Sequence, residues 1–344
     1  MDIRTNIPLK NFSTMRLGGP AKFFADAHTQ EEARQLYVNA KKQNIPFFII
    51  GGGSNLIATD EGFNGLVIRI RIPGFEVIED TLNNTTIKVG AGEIWDTVVQ
   101  RSVDMNLSGI EAMSAIPGTA GAAPVQNVGA YGQEIAETLV SLDAYDTLTD
   151  QFVTIQNQDC NFSYRHSIFR GEQKGRFIIT SITLRLSKSL PAPPFYDTLQ
   201  QYLDNNHINL HTQKTIRDAV IAIRSDKLPD PTVTPNSGSF FKNALVEKWQ
   251  AESIQSKHPD LKYFEMANGQ VKIPSGWLIE KSGLKGQIFN GIRVYEKNAL
   301  VLVNESATGY TDLATARQEI INKVLTDFQI TIEQEPLEIS SVNQ

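Results

Sequence analysis

The stretch from Ile116 to Gly132 reads IPGTAGAAPVQNVGAYG, and nothing else in the chain restricts its folding so strongly. Small residues dominate it, two prolines interrupt it, and no apolar period runs through it. Glycine loses more backbone freedom on folding than any other residue, so this run suits neither helix nor strand. Its expected form is a loop whose backbone lies close to something. The alternative is a ligand-free surface loop, although such loops are usually more polar. A second run, GGGSN (Gly51 to Asn55), directly follows the apolar stretch Ile45 to Ile50, which reads as a buried strand. Consecutive glycines after a strand can turn their amides inward as an anion-binding nest, and Ser54 and Asn55 add side-chain donors. A tight turn ending the strand is the alternative. The spacing is not G-x-G-x-x-G and no Walker lysine follows, so those phosphate-binding fingerprints are absent. Together the two runs favour one extended anionic ligand over two idle turns.

Any such ligand has to be met by local positive charge. Lysine and arginine total 32 against 38 aspartates and glutamates, a net charge of −6. A general nucleic-acid binder carries a basic excess, so no nucleic-acid partner is expected. The single cysteine, Cys160, excludes a disulfide framework within the chain and a thiolate zinc site. The five histidines show no paired spacing, and no metal is expected. The first residues, MDIRTNIPLKNF, show neither the basic nor the apolar region of a signal peptide. The longest apolar runs, such as Ala299 to Val303, are too short for a bilayer. A soluble, cytoplasmic protein without membrane partners is expected.

At 344 residues the chain should form two or three domains, at roughly 150 residues each. Thr29 with Glu32 predicts a capping box, and Ala33, Leu36, Tyr37 and Ala40 follow at helical spacing. Leu66, Ile68, Ile70 and Ile72 alternate as a strand before Pro73-Gly74, where a boundary is placed. Trp95, Val98, Val99, Ser102 and Met105 suggest a helix. Strands are expected at Ile87 to Val89, Leu139 to Tyr145, Phe152 to Ile155 and Phe177 to Leu186. Two helices should follow, the second carrying Ile216, Ala219, Val220 and Ile223 on one face. Arg224 to Asn243 reads as a turn-rich linker, because its prolines end any helix. Beyond it, helices are expected near Leu245 to Lys257 and Asp312 to Phe328. Strands are expected near Ala299 to Val303 and Ile330 to Glu333.

With these pieces in order, the chain resembles the UDP-N-acetylmuramate dehydrogenase (UDP-N-acetylenolpyruvoylglucosamine reductase) family. The likeness rests on NFSTMRLGG, GGGSN, IPGTAGAAPVQNVGAYG, FSYRHSIF, KLPDP, NSGSFFKN, SGWLIEKSGLKG and the glutamate-bearing C-terminus. It implies an α+β fold: a two-part FAD-binding module of the vanillyl-alcohol-oxidase (PCMH) type, then a C-terminal α+β substrate-binding domain. The implied division is 1–72, 73–226 together with the tail 329–344, and 227–328. Gly51, Gly52, Gly53, Ser54 and Asn55 would hold FAD. So would Ile116, Pro117, Gly118, Gly121, Gln126, Asn127, Gly129, Ala130, Tyr131 and Gly132.

The implied activity is an oxidoreductase acting on a CH–CH group with NADP+ as acceptor, serving peptidoglycan precursor synthesis and so the cell wall. NADPH would give a hydride to flavin N5, and the reduced flavin would pass it to the enolpyruvyl methylene of a UDP-sugar. By the same likeness Arg165 would pair with the substrate carboxylate and Glu335 would assist enolate formation. Ser239 would protonate the carbanionic carbon. Glu333 is the alternative to Glu335, because this chain reads Glu-Gln-Glu-Pro where relatives often show Glu-Pro-Glu. Lys227, Asn243 and Asn298 match nucleotide-contacting positions. Tyr196 resembles the tyrosine of the mobile loop in the longer form of the enzyme. Phe264, beside Tyr263, stands where some relatives carry a tyrosine near the uridine. A monomer is expected. The rival readings are an FAD-dependent alcohol or sugar oxidase or dehydrogenase of the same superfamily, or a non-catalytic nucleotide-sugar binding protein.

Overall fold

The computed structural model describes residues 2–266 and 268–340. Near the N-terminus, the Thr29 hydroxyl accepts from the Glu32 N–H at 3.1 Å and starts the helix Gln30–Lys42. The Glu32 carboxylate accepts from the His28 N–H at 2.7 Å. It therefore reaches one residue further back than a capping box on Thr29 requires. Ala33, Leu36, Tyr37 and Ala40 are buried, as their spacing predicts. They pack against a sheet ordered Arg4–Pro8, Pro20–Ala27, Phe63–Ile70, Phe47–Ile50. Its last three strands are parallel, and parallel strands need cover on both faces. Leu66, Ile68 and Ile70 accordingly join the helix side, while Val67 packs with Leu9, Phe24 and Phe63. Each such side chain contributes about 1.5–3 kcal/mol through burial.

The next segment forms a five-stranded antiparallel sheet, ordered Gln151–Gln156, Leu139–Asp146, Phe177–Ser187, Asn84–Gly90, Phe75–Asp80. Ile178, Ile182, Leu184 and Leu186 of its central strand are buried. One apolar cluster runs from the helix Gln30–Lys42 through Ile68 into this sheet and the helix Trp95–Asp104. Met105 is the exception to the expected helical face: it caps that helix and is exposed. Helices Asp197–Asn205 and Gln213–Lys227 pack through Leu199, Leu203, Ile216 and Val220 onto Ala112.

The remaining segment departs most from its sequence reading. The expected linker contains the strand Asn236–Ser239, paired antiparallel with Val301–Asn304. The helix expected from Leu245 starts at Lys248, because Ala244–Val246 is a strand paired with Val271–Ile273. Helices Ser275–Lys281 and Tyr310–Phe328 cover a separate apolar cluster that includes Leu278, Leu313, Ala316 and Ile320. Ile330 to Glu333 is not a strand; instead Gln334 bridges to Phe241. Leu337–Ile339 then pairs in parallel with Leu56–Ala58, which returns the tail to the first segment rather than the second. Among the described residues no helix is long and apolar enough to cross a membrane. Nor, among them, does any group of three His, Cys, Asp or Glu stand ready for a metal.

Candidate functional site

The two glycine-rich loops meet. A Cβ on Gly52 would lie 3.1 Å from the Gly118 Cα. One on Gly53, whose φ is +69°, would lie 1.6 Å from the Phe12 carbonyl oxygen. Glycine is required at Gly53 because backbone occupies the space a side chain would take, and at Gly52 a side chain would press on the facing loop. The Ser54 hydroxyl donates to the Pro117 carbonyl at 2.9 Å. The Asn55 amide donates to Gln126 Oε1. Among the described residues the N–H groups of Gly52, Gly53 and Ser54 donate to no protein acceptor. All three residues line a cleft of about 810 Å³, shared with Ile116, Pro117, Gly118, Gly121, Gln126, Gly129 and Ala130. That volume lies within the range of roughly 300–1,000 Å³ that holds a sizeable ligand. Free N–H groups along a glycine wall suit a diphosphate-bearing cofactor, so the cradle fits FAD.

Arg165, Ser239 and Glu335 line the same cleft. Arg165 lies within a tight turn in which Ser163 and His166 exchange backbone hydrogen bonds at 3.2 and 3.1 Å. Its φ of +54° is unusual for a side chain of this size, and such backbone persists where its surroundings hold it. The guanidinium donates to the Gly129 carbonyl at 3.0 Å and stands 3.3 Å from Glu335 Oε1. Burial pushes the Glu335 carboxyl above the usual carboxylate range, against the opposing pull of Arg165, Arg170 and Lys242. Glu333 is exposed and pairs with Lys242 at 3.5 Å, so of the two glutamates it is Glu335 that faces the cleft. Ser239 ends its strand just after Gly238, whose φ is +70°.

Other predicted residues lie elsewhere. Asn127, expected to hold FAD, is not among the residues lining the cleft and supports the loop from within. It is buried in the left-handed conformation and donates to Glu134 at 2.7 Å and to the Ser163 carbonyl at 3.1 Å. Its oxygen accepts from the Ala136 N–H at 3.2 Å. Tyr131 and Gly132 line a second cavity of about 330 Å³ together with Tyr196. The Tyr131 and Tyr196 rings meet edge to face at 6.2 Å. Lys227 is exposed, and Asn243 and Asn298 accept from the Ser275 and Leu300 N–H groups at 3.2 and 3.1 Å. None of these four outlying positions, Tyr196 included, lines the cleft.

Three cleft features escaped the sequence reading. Arg224 and Ser237 line the cleft, and the Arg224 Nε and the Ser237 hydroxyl are buried without hydrogen-bond partners. Burial lowers the Arg224 pKa, with Tyr131 and Asp96 acting in the opposite direction. Arg170 donates to Gln126 Oε1 at 2.8 Å. Asn55 and Arg170 both donate to that oxygen, and Gln126 lines the cleft. Arg224 and Arg217 both flank the buried stripe of Ile216, Val220 and Ile223, and the sequence does not tell them apart. Arg217 is answered by both oxygens of Asp96, at 2.6 and 2.9 Å, and among the described residues Arg224 has no such carboxylate bond.

Comparison with known proteins agrees with this geometry. Residues 21–151 match the family model "FAD binding domain", and residues 230–339 match "UDP-N-acetylenolpyruvoylglucosamine reductase, C-terminal domain". The α+β expectation of an FAD-binding module followed by a C-terminal domain therefore holds. The chain is 40% identical over 336 residues to the UDP-N-acetylenolpyruvoylglucosamine reductase of Flavobacterium johnsoniae, covering 97% of this chain and 99% of that protein. It is 38% identical over 340 residues to the enzyme of the same name from Dechloromonas aromatica, covering 98% and 99%. The crystal structure of UDP-N-acetylenolpyruvylglucosamine reductase from Thermus caldophilus shares the fold, with a TM-score of 0.69 at 21% identity over 98% of this chain and 100% of that one. Matched end to end at these identities, the chain belongs to the UDP-N-acetylenolpyruvoylglucosamine reductase family.

Proposed function

We propose that this protein uses NADPH to reduce the enolpyruvyl ether of UDP-N-acetylglucosamine, giving UDP-N-acetylmuramate for peptidoglycan precursor synthesis in the cytoplasm. The observation that carries the reading is the convergence of Arg165, Ser239 and Glu335, from three distant segments, on the cleft with the two glycine loops. Bound FAD supplies the two-electron carrier between NADPH and the sugar. Gly51 to Asn55 and the loop from Ile116 to Ala130 would hold it, with the N–H groups of Gly52, Gly53 and Ser54 available to the diphosphate.

The protein's own part is to manage charge. Adding hydride to the enolpyruvyl methylene leaves negative charge on the next carbon, which spreads into the attached carboxylate. Arg165 stays cationic and pairs with that carboxylate. Glu335, whose burial favours the protonated form, donates a hydrogen bond as the charge develops. Ser239 delivers the proton to carbon and regains it from water or a neighbouring group. Lys227, Asn243, Asn298 and Tyr196 are assigned to the nucleotide end of the substrate. The segment 227–328 is proposed as the part that covers it, after FAD-binding parts 1–72 and 73–226.

The test is anaerobic. NADPH should bleach the visible absorbance of the FAD-loaded protein, and the enolpyruvyl sugar should restore it. Bleaching without recovery overturns the substrate assignment.

A further inference from the structure

Arg170 has no role in the scheme above, yet it is mostly withdrawn from water and bonded on both arms. Its Nη1 donates to Gln126 Oε1 at 2.8 Å and its Nη2 donates to the backbone carbonyl of Glu335 at 2.6 Å. Both acceptors are neutral. Glu335 pairs with Arg165 and Glu333 with Lys242, which leaves Arg170 without a direct carboxylate contact among the described residues. Burying a cation whose hydrogen-bond partners are all neutral is costly, and guanidinium does not escape the cost by losing its proton. The opposing favourable interaction comes from the nearby charges of Glu335 and Glu333. The opposite side of Glu335 is also held: its N–H donates at 2.8 Å to the carbonyl of Phe240, the residue after Ser239.

We propose that Arg170 is a positioning residue for Glu335, clamping its backbone to the Gln126 loop while its positive charge eases release of the proton that burial makes Glu335 hold. The inference rests on the reading that Glu335 serves the reaction. Glu335 is faced by Arg165, Arg170 and Lys242, which favour its ionised form, and by the Tyr164 phenol, while Glu333 acts on Arg170 and pairs with Lys242. Removing one of three cations moves its protonation to higher pH, whereas a purely structural loss does not.

The experiment is an infrared titration of the FAD-loaded protein. The Glu335 carboxyl band is identified by its absence in Glu335→Gln. Its midpoint should rise in Arg170→Gln and stay near wild type in Arg170→Lys. Arg170→Met is the second charge-removing variant, should Arg170→Gln not fold. Flavin reoxidation by the enolpyruvyl sugar should slow by about tenfold to a hundredfold in the uncharged variants, the range expected for a misplaced group. The pH limb absent from Glu335→Gln should move upward with the infrared midpoint and return in Arg170→Lys. An unchanged midpoint, or a rate loss equal at every pH that lysine does not relieve, overturns the proposal. The infrared titration needs no substrate, so it decides the role of Arg170 even if wild-type flavin is never reoxidised by the sugar, which is the failure of the functional reading.

Discussion

A serine hydroxyl is a weak acid, and at Ser239 its usefulness depends on where the strand Asn236–Ser239 ends. Ser239→Ala should leave flavin reduction by NADPH at the wild-type rate. It should slow reoxidation by the enolpyruvyl sugar about 10²–10⁴-fold, the usual contribution of a placed acid. Stopped-flow absorbance separates the two halves, and equal loss in both removes Ser239 from proton delivery. Glu335 gives a stability test as well. Its folded pKa is raised, so the native state holds the proton more tightly than the unfolded chain does. The stability of wild type relative to Glu335→Gln should therefore fall as pH rises from the ordinary carboxylate range through the raised folded value. Denaturant melts of both proteins between those limits check the sign. At this scale the place of Arg165 and Ser239 in the cleft was legible from the strings SYRHS and NSGSFF, whereas sequence alone did not separate Glu335 from Glu333. Arg170 and Arg224 were not legible. Nothing local tells an arginine with a carboxylate partner from one without, and that difference is made by segments far apart in sequence.

Among the elements, the glycine cradle is the most sensitive to change. Gly53→Ala adds a methyl where the Phe12 carbonyl oxygen already stands, 1.6 Å from the Cβ position, in backbone at φ +69°. Purified Gly53→Ala should carry little FAD and melt earlier than wild type. Gly283→Ala is the control, because its φ of +73° is similar but nothing lies within 4 Å. It should show only the left-handed strain of about 1–2 kcal/mol and keep its flavin. Equal flavin content in the two variants would deny the cradle its role. Helix Gln30–Lys42 was legible from its apolar spacing, and Tyr310–Phe328 was expected within two residues of where it starts. The strand Asn236–Ser239 was not, since NSGS has no apolar alternation and pairs through its backbone with Val301–Asn304. Ala244–Val246 was hidden by joining smoothly onto the helical pattern that follows it.

At the scale of the molecule, the cleft lining among the described residues contains no histidine or cysteine, the residues that tether flavin in some flavoproteins. Denaturation should therefore release the flavin into solution, where absorbance of the filtrate measures it. Flavin retained on the chain would contradict a reversible cradle. Acid should also unfold the molecule by a defined route. The two-pronged bond from Arg176, at 2.8 and 2.6 Å, holds the Asp146 carboxyl well below its usual range. That contribution is complete above the ordinary aspartate value and is lost as pH falls toward the depressed folded one. Arg176→Met should shift the acid-unfolding midpoint upward, as circular dichroism would record. The parallel pairing of Leu337–Ile339 with Leu56–Ala58 has a consequence in time. Chains emerge from the ribosome N-terminus first, and earlier domains generally fold before later ones are made. The loop from Ile116 to Gly132 can thus be made early, but the GGGSN side of the cradle waits for the tail, whose Leu337 N–H donates to the Asn55 carbonyl at 2.9 Å. A nascent chain stalled before that point would lack both Glu335 and the strand that flanks the cradle.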